Sequence, residues 1–402
     1  MQPTPIRLLT FSTLYPSSVQ PGHGIFVETR LRELVASGQV VSKVVAPVPW
    51  FFSGHPVFGR YARMAQTPQR ELRHGLDVQH PRYALPPQLG MNMAPFLLAW
   101  GARPAVQQLL NEGYDFDVMD AHYYYPDGVA AALLARHFKK PLTITARGSD
   151  INLLARYRLP RTLMRWAARQ AQASIGVSAA LTQAMAQLPM PPATLLTLPN
   201  GVDLNRFHLR PQGIARGVLG WPSAPTLLLV GNLQESKGQH LALQALHQLP
   251  TCRLVLVGDG PQRASLQKLA RHLNVAERVL FMGQLDQDHL ATCYSAADVL
   301  LLPSSREGWP NVVLEAMACG TPVVATRVGG IPDMVNTPVA GCLMPERSVP
   351  ELVAAVQRLM LQLPARAAVR SHASAHTWAR TTAAQHALFS RIATTYREHG
   401  DA

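Results

Sequence analysis

The sequence is short of acidic residues, aromatic side chains, cysteine and long apolar runs, and each shortage narrows what the chain can be. Its 402 residues hold 24 Asp and Glu against 37 Lys and Arg, a formal net charge of +13. Such a balance suits a phosphorylated substrate, an anionic lipid surface or nucleic acid, and charge alone does not choose among them. Aromatic residues make up 7% of the chain, and no segment interleaves them with basic residues, so base stacking on nucleic acid is not expected. The four cysteines, Cys252, Cys293, Cys319 and Cys342, lie far apart. They form no C-x-x-C pair and adjoin no histidine cluster, which argues against a zinc site or a disulfide framework and suits small core residues in a reducing compartment. No run of about 18 uncharged apolar residues occurs, and the opening MQPTPIRLLTFSTLYP has no small-residue cleavage site. The expectation is a cytoplasmic chain that is neither exported nor membrane-spanning. Neither VGDG (257–260) nor VGNLQESKG (230–238) completes the G-x-G-x-x-G fingerprint, which sets a nicotinamide dehydrogenase aside.

What the sequence does contain is an alternation of short β-branched apolar runs with longer helical patterns, the sequence form of a mostly parallel α/β architecture. One series of predicted strands is IRLLTFS (6–12), VVSKVVAPV (40–48), DVMDAH (117–122), LTITAR (142–147), ASIGVS (173–178) and TLLTLP (194–199). A helix is predicted from about Phe26 to Ser37, closed by Gly38. The second series is TLLLVGN (226–232), RLVLVGD (253–259), RVLFMG (278–283), DVLLLP (298–303) and TPVVAT (321–326). Chain length suggests two or three domains, and the two series favour two. The turn-rich stretch 199–213 separates the series, giving domains 1–200 and 201–377. A closing helix over about 378–402, with Trp378, Ala383, Leu388, Ile392 and Tyr396 at roughly helical spacing, is expected to pack back on the first domain.

The segment SSREGWPNVVLEAMACGTPVVAT (304–326) carries two glutamates around a helix start. Pro310 suits the first helical position, and Gly320 supplies a left-handed end. Glu307 then sits in the loop after a strand and Glu315 about one turn into the helix. Free amides around Asn311, Val312 and Val313 form a phosphate-attracting start, worth roughly 0.3 to 2 kcal/mol from the dipole. Lys237, at the entrance of the helix after another strand, is placed to reach the same phosphates. The PGHG turn (21–24), with Gly22 and Gly24, allows close backbone approach from the first domain. Together these predict an interdomain cleft with an acidic sugar clamp and a basic phosphate clamp.

Taken in order, RLLTFSTLYP with PGHG, AHYYYPDG (121–128), ARGSD (146–150), PNGVD (199–203), VGNLQESKG and REGWPNVVLEAMACGTPVVAT resemble the retaining glycosyltransferases of family 4, over nearly the whole chain. The resemblance implies the GT-B fold, two Rossmann-like domains, and transfer of a hexosyl group from a UDP- or GDP-sugar without a metal or other cofactor. It assigns Glu307 to the donor sugar, Glu315 to the ribose, Lys237 and the backbone of Gly308 to Val313 to the diphosphate, and Gly22 and Gly24 to the closing turn. Most members carry Arg where this chain has Asn232 and His-Gly where it has Arg147-Gly148. Arg147 is therefore expected to bring the positive charge to the opposite side of the cleft, and the combination points to a lipid-linked or growing polysaccharide acceptor. The interdomain joins near 200 and 378 are expected to act as hinges.

His122 and Asp150 are acceptor-site candidates, weighed against service as a loop histidine and a cap; Tyr123, Tyr124 and Tyr125 suit packing better. In ARYRLPRTLMRWAARQAQ (155–172), Arg158, Arg161, Arg165 and Arg169 fall on one face of a helix that Pro160 opens, with no acidic residue between Ile151 and Val202. That face suits an anionic membrane surface or, equally, plain solvent. Competing readings are a nucleotide-sugar epimerase on the same fold, a phosphorylase-like enzyme, for which no lysine-linked pyridoxal signal is seen, and a nonenzymatic basic membrane binder.

Overall fold

The computed structural model describes residues 4–55, 57, 59–85, 90–191 and 194–400. By its contacts the chain divides into two compact units: one made of Met1–Pro199 with Ala379–Ala402, the other Asn200–Trp378.

The first unit is built on an eight-stranded sheet. Its strands in chain order are β1 (Ile6–Phe11), β2 (Val40–Val45), β4 (Arg70–Arg73), β5 (Leu76–Gln79), β7 (Val118–His122), β8 (Leu142–Ala146), β9 (Ala173–Gly176) and β10 (Leu195–Thr197); β3 (Val48–Pro49) and β6 (Arg82–Tyr83) form a separate ribbon. The spatial order is β10-β9-β8-β7-β1-β2-β5-β4, parallel throughout except for the β4–β5 hairpin. Three features depart from the sequence reading. The predicted strand over 40–48 breaks after Val45, because Pro47 has no N–H for the ladder; Ala46 donates to Gln79 and Val48 to Pro81 on either side of it. The β4–β5 hairpin had no apolar signature, since RELR is polar. It turns through His74 and Gly75, both at positive φ, as a two-residue hairpin loop requires. The C-terminal helix Trp378–Gly400 places Leu388, Phe389, Ile392 and Ala393 in the same core as Leu8, Val118 and Ile175. Ala383, expected on its packed stripe, is exposed, while Gln385 is buried.

The second unit has six parallel strands: β11 (Thr226–Val230), β12 (Arg253–Val257), β13 (Val279–Gly283), β14 (Val299–Leu302), β15 (Val323–Thr326) and β16 (Gly341–Met344), in the order β13-β12-β11-β14-β15-β16. Strands such as TLLLV and VLLL are buried along their whole length, which is why they read as continuous apolar runs instead of alternating ones. The short edge strand β16, beginning at a glycine, carried no such signal.

In each unit the strand order reverses once: between β1 and β7 in the first, between β11 and β14 in the second. Ligands of open α/β sheets gather where such a reversal parts the loops at the carboxyl ends of two neighbouring strands.

Candidate functional site

At the reversal in the second unit, the loops after β11 and β14 bring together the two residues singled out from the sequence. Lys237 Nζ donates to Glu307 Oε1 at 2.6 Å, and Ser304 Oγ donates to the same oxygen at 2.7 Å. The glutamate side chain is 8% exposed and the lysine 22%. Three hydrogen bonds to backbone carbonyls fix this meeting. The Ser305 amide donates to the Ser236 carbonyl at 2.8 Å, and Arg347 bridges the loops through the Pro303 carbonyl at 2.9 Å and the Glu235 carbonyl at 2.7 Å. The loop after β15 closes on the other side: the Gly330 amide donates to the Gly308 carbonyl at 3.0 Å. Gly329, at φ +55°, lies so close that a Cβ there would fall 1.9 Å from the Glu307 carbonyl oxygen.

The helix after this loop runs Asn311–Ala318, and Gly320 follows its end at φ +81°. Pro310 takes the capping position with extended backbone (φ −75°, ψ 100°), so the helix starts one residue later than the sequence reading placed it. The Val313 amide is engaged by the Pro310 carbonyl at 3.1 Å. Val313, expected among the free donors, is therefore not one; first-turn amides such as those of Asn311 and Val312 have no acceptor within their own helix. Asn311 Oδ1 accepts from Asn200 Nδ2 at 3.2 Å. Glu315, one turn on, is recessed; its Oε2 accepts from Tyr294 OH at 2.8 Å. Loss of water pushes its pKa up to about 7, against the opposing hydrogen bond from Tyr294 and the charge of Arg206. Asn232 presents an exposed side chain, while its carbonyl accepts from Gln239 Nε2 at 2.9 Å. Ser304, Tyr294, Gly329 and Arg347 escaped the sequence reading. They lie at separations with no local periodicity, and their roles arise only when loops from different strands meet.

In the first unit, Gly22 is open to solvent, whereas Gly24 precedes the Ile25–Ala36 helix at φ +59°, where a Cβ would lie 1.7 Å from the Leu14 carbonyl oxygen. Asp127, in the stretch after β7, holds the facing loop after β1: it accepts from the Thr13 amide at 2.6 Å and from Thr13 Oγ1 at 2.9 Å. Burial lifts its pKa to about 7. Asp150 is fully buried and accepts from the amides of Tyr124 (2.7 Å), Gly148 (2.7 Å) and Arg147 (3.1 Å). It shapes the turn after β8, so the acceptor contact expected of it is replaced by a structural duty. His122 is 1% exposed, with Nε2 3.1 Å from Asp120 and Nδ1 2.6 Å from Arg147 Nη2; it too has no nitrogen left for an acceptor. Arg147 is half-buried, its Nη2 turned in toward His122 and its guanidinium over the Phe26 ring, 5.1 Å from the centroid, and burial pushes its pKa well below the ordinary arginine value. Tyr124 and Tyr125 are buried, as packing residues should be.

The basic helix runs Arg158–Gln170, with Pro160, Met164, Ala167 and Ala168 inward. Arg158, Arg161 and Arg169 are exposed; Arg165 leans in, its Nε buried without a hydrogen-bond partner among the described residues. The chain's two Asp-x-Asp triplets are already engaged. Asp115 and Asp117 pair with Lys140 and Arg397, both at 2.5 Å; Asp286 caps a helix through the His289 amide at 2.8 Å, and Asp288 lies 3.3 Å from Arg206.

Residues 214–376 match the family described as glycosyl transferases group 1, and residues 53–206 match Glycosyltransferase Family 4. TuaC of Bacillus subtilis, which carries the name of a teichuronic acid biosynthesis glycosyltransferase, is 30% identical over 81% of this chain and 82% of its own. The N-acetyl-alpha-D-glucosaminyl L-malate synthase of Bacillus anthracis is 30% identical over 55% of this chain and 59% of its own. Among solved structures, sucrose-phosphate synthase from Thermosynechococcus elongatus superposes with a TM-score of 0.79 at 22% identity, covering 97% of this chain and 100% of that one. Anabaena HepE in complex with UDP does so with a TM-score of 0.71 at 20% identity, covering 96% and 100%. Two adjoining family matches, a relative alike along most of both lengths and a shared architecture of paired parallel sheets lead to one conclusion: the chain belongs to the group 1, family 4 glycosyltransferases and has their GT-B fold.

Proposed function

We propose that this glycosyltransferase moves a hexosyl group from a UDP- or GDP-sugar to a lipid-linked or growing glycan, with retention of configuration and without a metal ion. The observation that carries this reading is the Lys237–Glu307 pair at the sheet reversal, beside the first turn of the Asn311–Ala318 helix. Charge builds on the departing diphosphate as the sugar's C1–oxygen bond breaks. An ammonium and first-turn amides aimed at that oxygen supply the positive charge a divalent ion would otherwise bring. Glu307, held at one oxygen by Lys237 and Ser304, is suited to orienting donor hydroxyls; a carboxylate so engaged is a poor covalent nucleophile, which favours front-face transfer. Glu315 receives the ribose hydroxyls, and Arg147 adds positive charge from the first unit, with Gly22 and Gly24 in the closing turn.

The donor class is also supported by the UDP and UDP-glucose that HepE binds. A membrane-borne acceptor suits the first unit's surface. Arg158, Arg161 and Arg169 are exposed beside Tyr157 and Leu159, and the Gly90–Asn111 helix, which touches the basic helix, exposes Met93, Phe96 and Trp100. Arginines flanking exposed aromatics fit an anionic lipid interface.

Thermal-shift titration with UDP, GDP and ADP tests the donor: the matching nucleotide at 100 times its Kd adds about 2.7 kcal/mol, and a Lys237→Ala, Glu315→Ala double variant should lose that shift. Full stabilisation of the double variant, or transfer at the wild-type rate, would overturn the site. Co-sedimentation with vesicles should rise with anionic lipid content and fall in an Arg158→Glu, Arg161→Glu variant; indifference to both removes the membrane reading.

A further inference from the structure

Beneath Arg147 lies a buried polar network that the donor chemistry leaves unexplained. Asp120, His122 and Arg30 are each 1% exposed. They come from two elements, Asp120 and His122 from β7 and Arg30 from the Ile25–Ala36 helix, and Arg147 above them follows β8. Thr143 Oγ1 donates to Asp120 Oδ1 at 2.7 Å, Ser12 Oγ donates to the His122 carbonyl at 3.0 Å, and Arg30 Nη1 donates to the Leu198 carbonyl at 2.9 Å.

The protonation of the ring follows from its partners. Arginine has only donors, so the His122 nitrogen that Arg147 Nη2 meets at 2.6 Å, Nδ1, must be an acceptor. The proton of the neutral ring then sits on Nε2, which faces Asp120 Oδ2 at 3.1 Å. A carboxylate there selects this tautomer in the way a buried carboxylate orients a catalytic histidine. The ionisation tendencies agree. Burial, reinforced by the charges of Arg147 and Arg30 and opposed by Asp120, pushes His122 down to about 4. Burial would raise Asp120, but His122, Thr143 and Arg30 hold it below the ordinary carboxylate value.

We infer that His122 is a positioning residue: with Asp120 fixing its tautomer, its Nδ1 holds the Arg147 guanidinium in the orientation the reaction needs, and it does not itself touch the acceptor. This rests on the proposed role of Arg147 at the reacting centre. The guanidinium is held between the imidazole acceptor and the Phe26 ring, and freeing one side lets the charge swing. A misplacement of about 1 Å can cost on the order of a hundredfold in rate.

The test separates the two ring nitrogens. His122→Asn keeps an acceptor where Nδ1 stands; His122→Gln keeps a donor near Nε2 but removes that acceptor. With UDP-glucose as probe donor, or GDP-mannose if the nucleotide screen favours GDP, His122→Gln and Arg147→Ala should each lose about a hundredfold in kcat. His122→Asn should stay within about tenfold of wild type. Nucleotide affinity, which belongs to the second unit, should be unchanged in all three, and a wild-type denaturation midpoint of the first unit, which holds both residues, certifies folding. Combining His122→Gln with Arg147→Ala should cost no more than Arg147→Ala alone. Independently of turnover, imidazole 15N shifts should show a ring protonated at Nε2 throughout pH 5–8, and Asp120→Asn, which can donate to Nε2, should shift the proton toward Nδ1. Equal losses in His122→Asn and His122→Gln, or multiplicative losses in the double variant, overturn this inference while leaving Arg147 in its role. Wild-type turnover in Arg147→Ala overturns that role and this inference together.

Discussion

Lys237 and Glu307 neutralise one another at 2.6 Å, so removing either leaves a partly buried charge and, in the proposed site, a missing contact with the donor. Lys237→Ala should lower kcat by about a hundred- to a thousandfold at saturating donor, measured as nucleotide release. A variant that raises only KM would move the lysine from stabilising the leaving group to plain binding. Glu315 gives a pH signature. Its pKa is raised to about 7 by loss of water, so it is mostly protonated at pH 6 and mostly ionised at pH 8. In the proposed site the ribose hydroxyls donate to the ionised form, so binding should release a proton. Nucleotide affinity should be about tenfold weaker at pH 6 than at pH 8, and calorimetry of Glu315→Gln should show a flat profile. The sign for stability is opposite: a carboxyl raised above its unfolded value favours folding below about pH 4, and that contribution is lost as pH rises through about 7.

At the scale of the element, the site depends on turns whose backbone leaves no room for a side chain. Gly329→Ala must place a Cβ at φ +55° and 1.9 Å from the Glu307 carbonyl oxygen, so the loop carrying the glutamate has to shift. Strain of roughly 1 to 3 kcal/mol is expected in the melting free energy, together with a loss of turnover larger than that of a surface alanine. Retained activity with unchanged stability would show that the Val328–Gly330 turn does not set Glu307. The sequence read this region well in part. The run NVVLEAMA and the glycine after it marked a helix and its end through local rules of periodicity and backbone freedom. It misjudged the start by one residue, since Pro310 satisfies the rules for a first helical residue and for a cap about equally, and the engagement of the Val313 amide followed from that choice.

For the whole molecule, the end of the chain completes the first unit. Phe389, fully buried beside Leu8, Val118 and Ile175, belongs to the core of a sheet whose first strand begins at Ile6. Phe389→Ala should cost about 3 to 5 kcal/mol in denaturant unfolding of the first unit and leave nucleotide binding by the second intact at low denaturant. Simultaneous loss of both would mean that the units unfold as one. The periodicity of Leu388 and Ile392 announced an amphipathic helix, but which of its residues face inward was not legible, because Gln385 is buried and Ala383 exposed.

The sequence by itself determined the apolar strands, the ends of the few helices marked by glycine or proline, the two-series organisation and the family, because apolar period, glycine and proline act within a few residues and the ordered motifs survive in one dimension. Only the tertiary structure decided which side chains answer which. Tyr294 reaches Glu315, Ser304 and Lys237 share one oxygen of Glu307, and Asp120 and Arg147 claim both nitrogens of His122. Such pairings form when parallel strands bring distant loops to one sheet end, and hydrogen-bond geometry at about 3 Å has no counterpart in spacing along the chain.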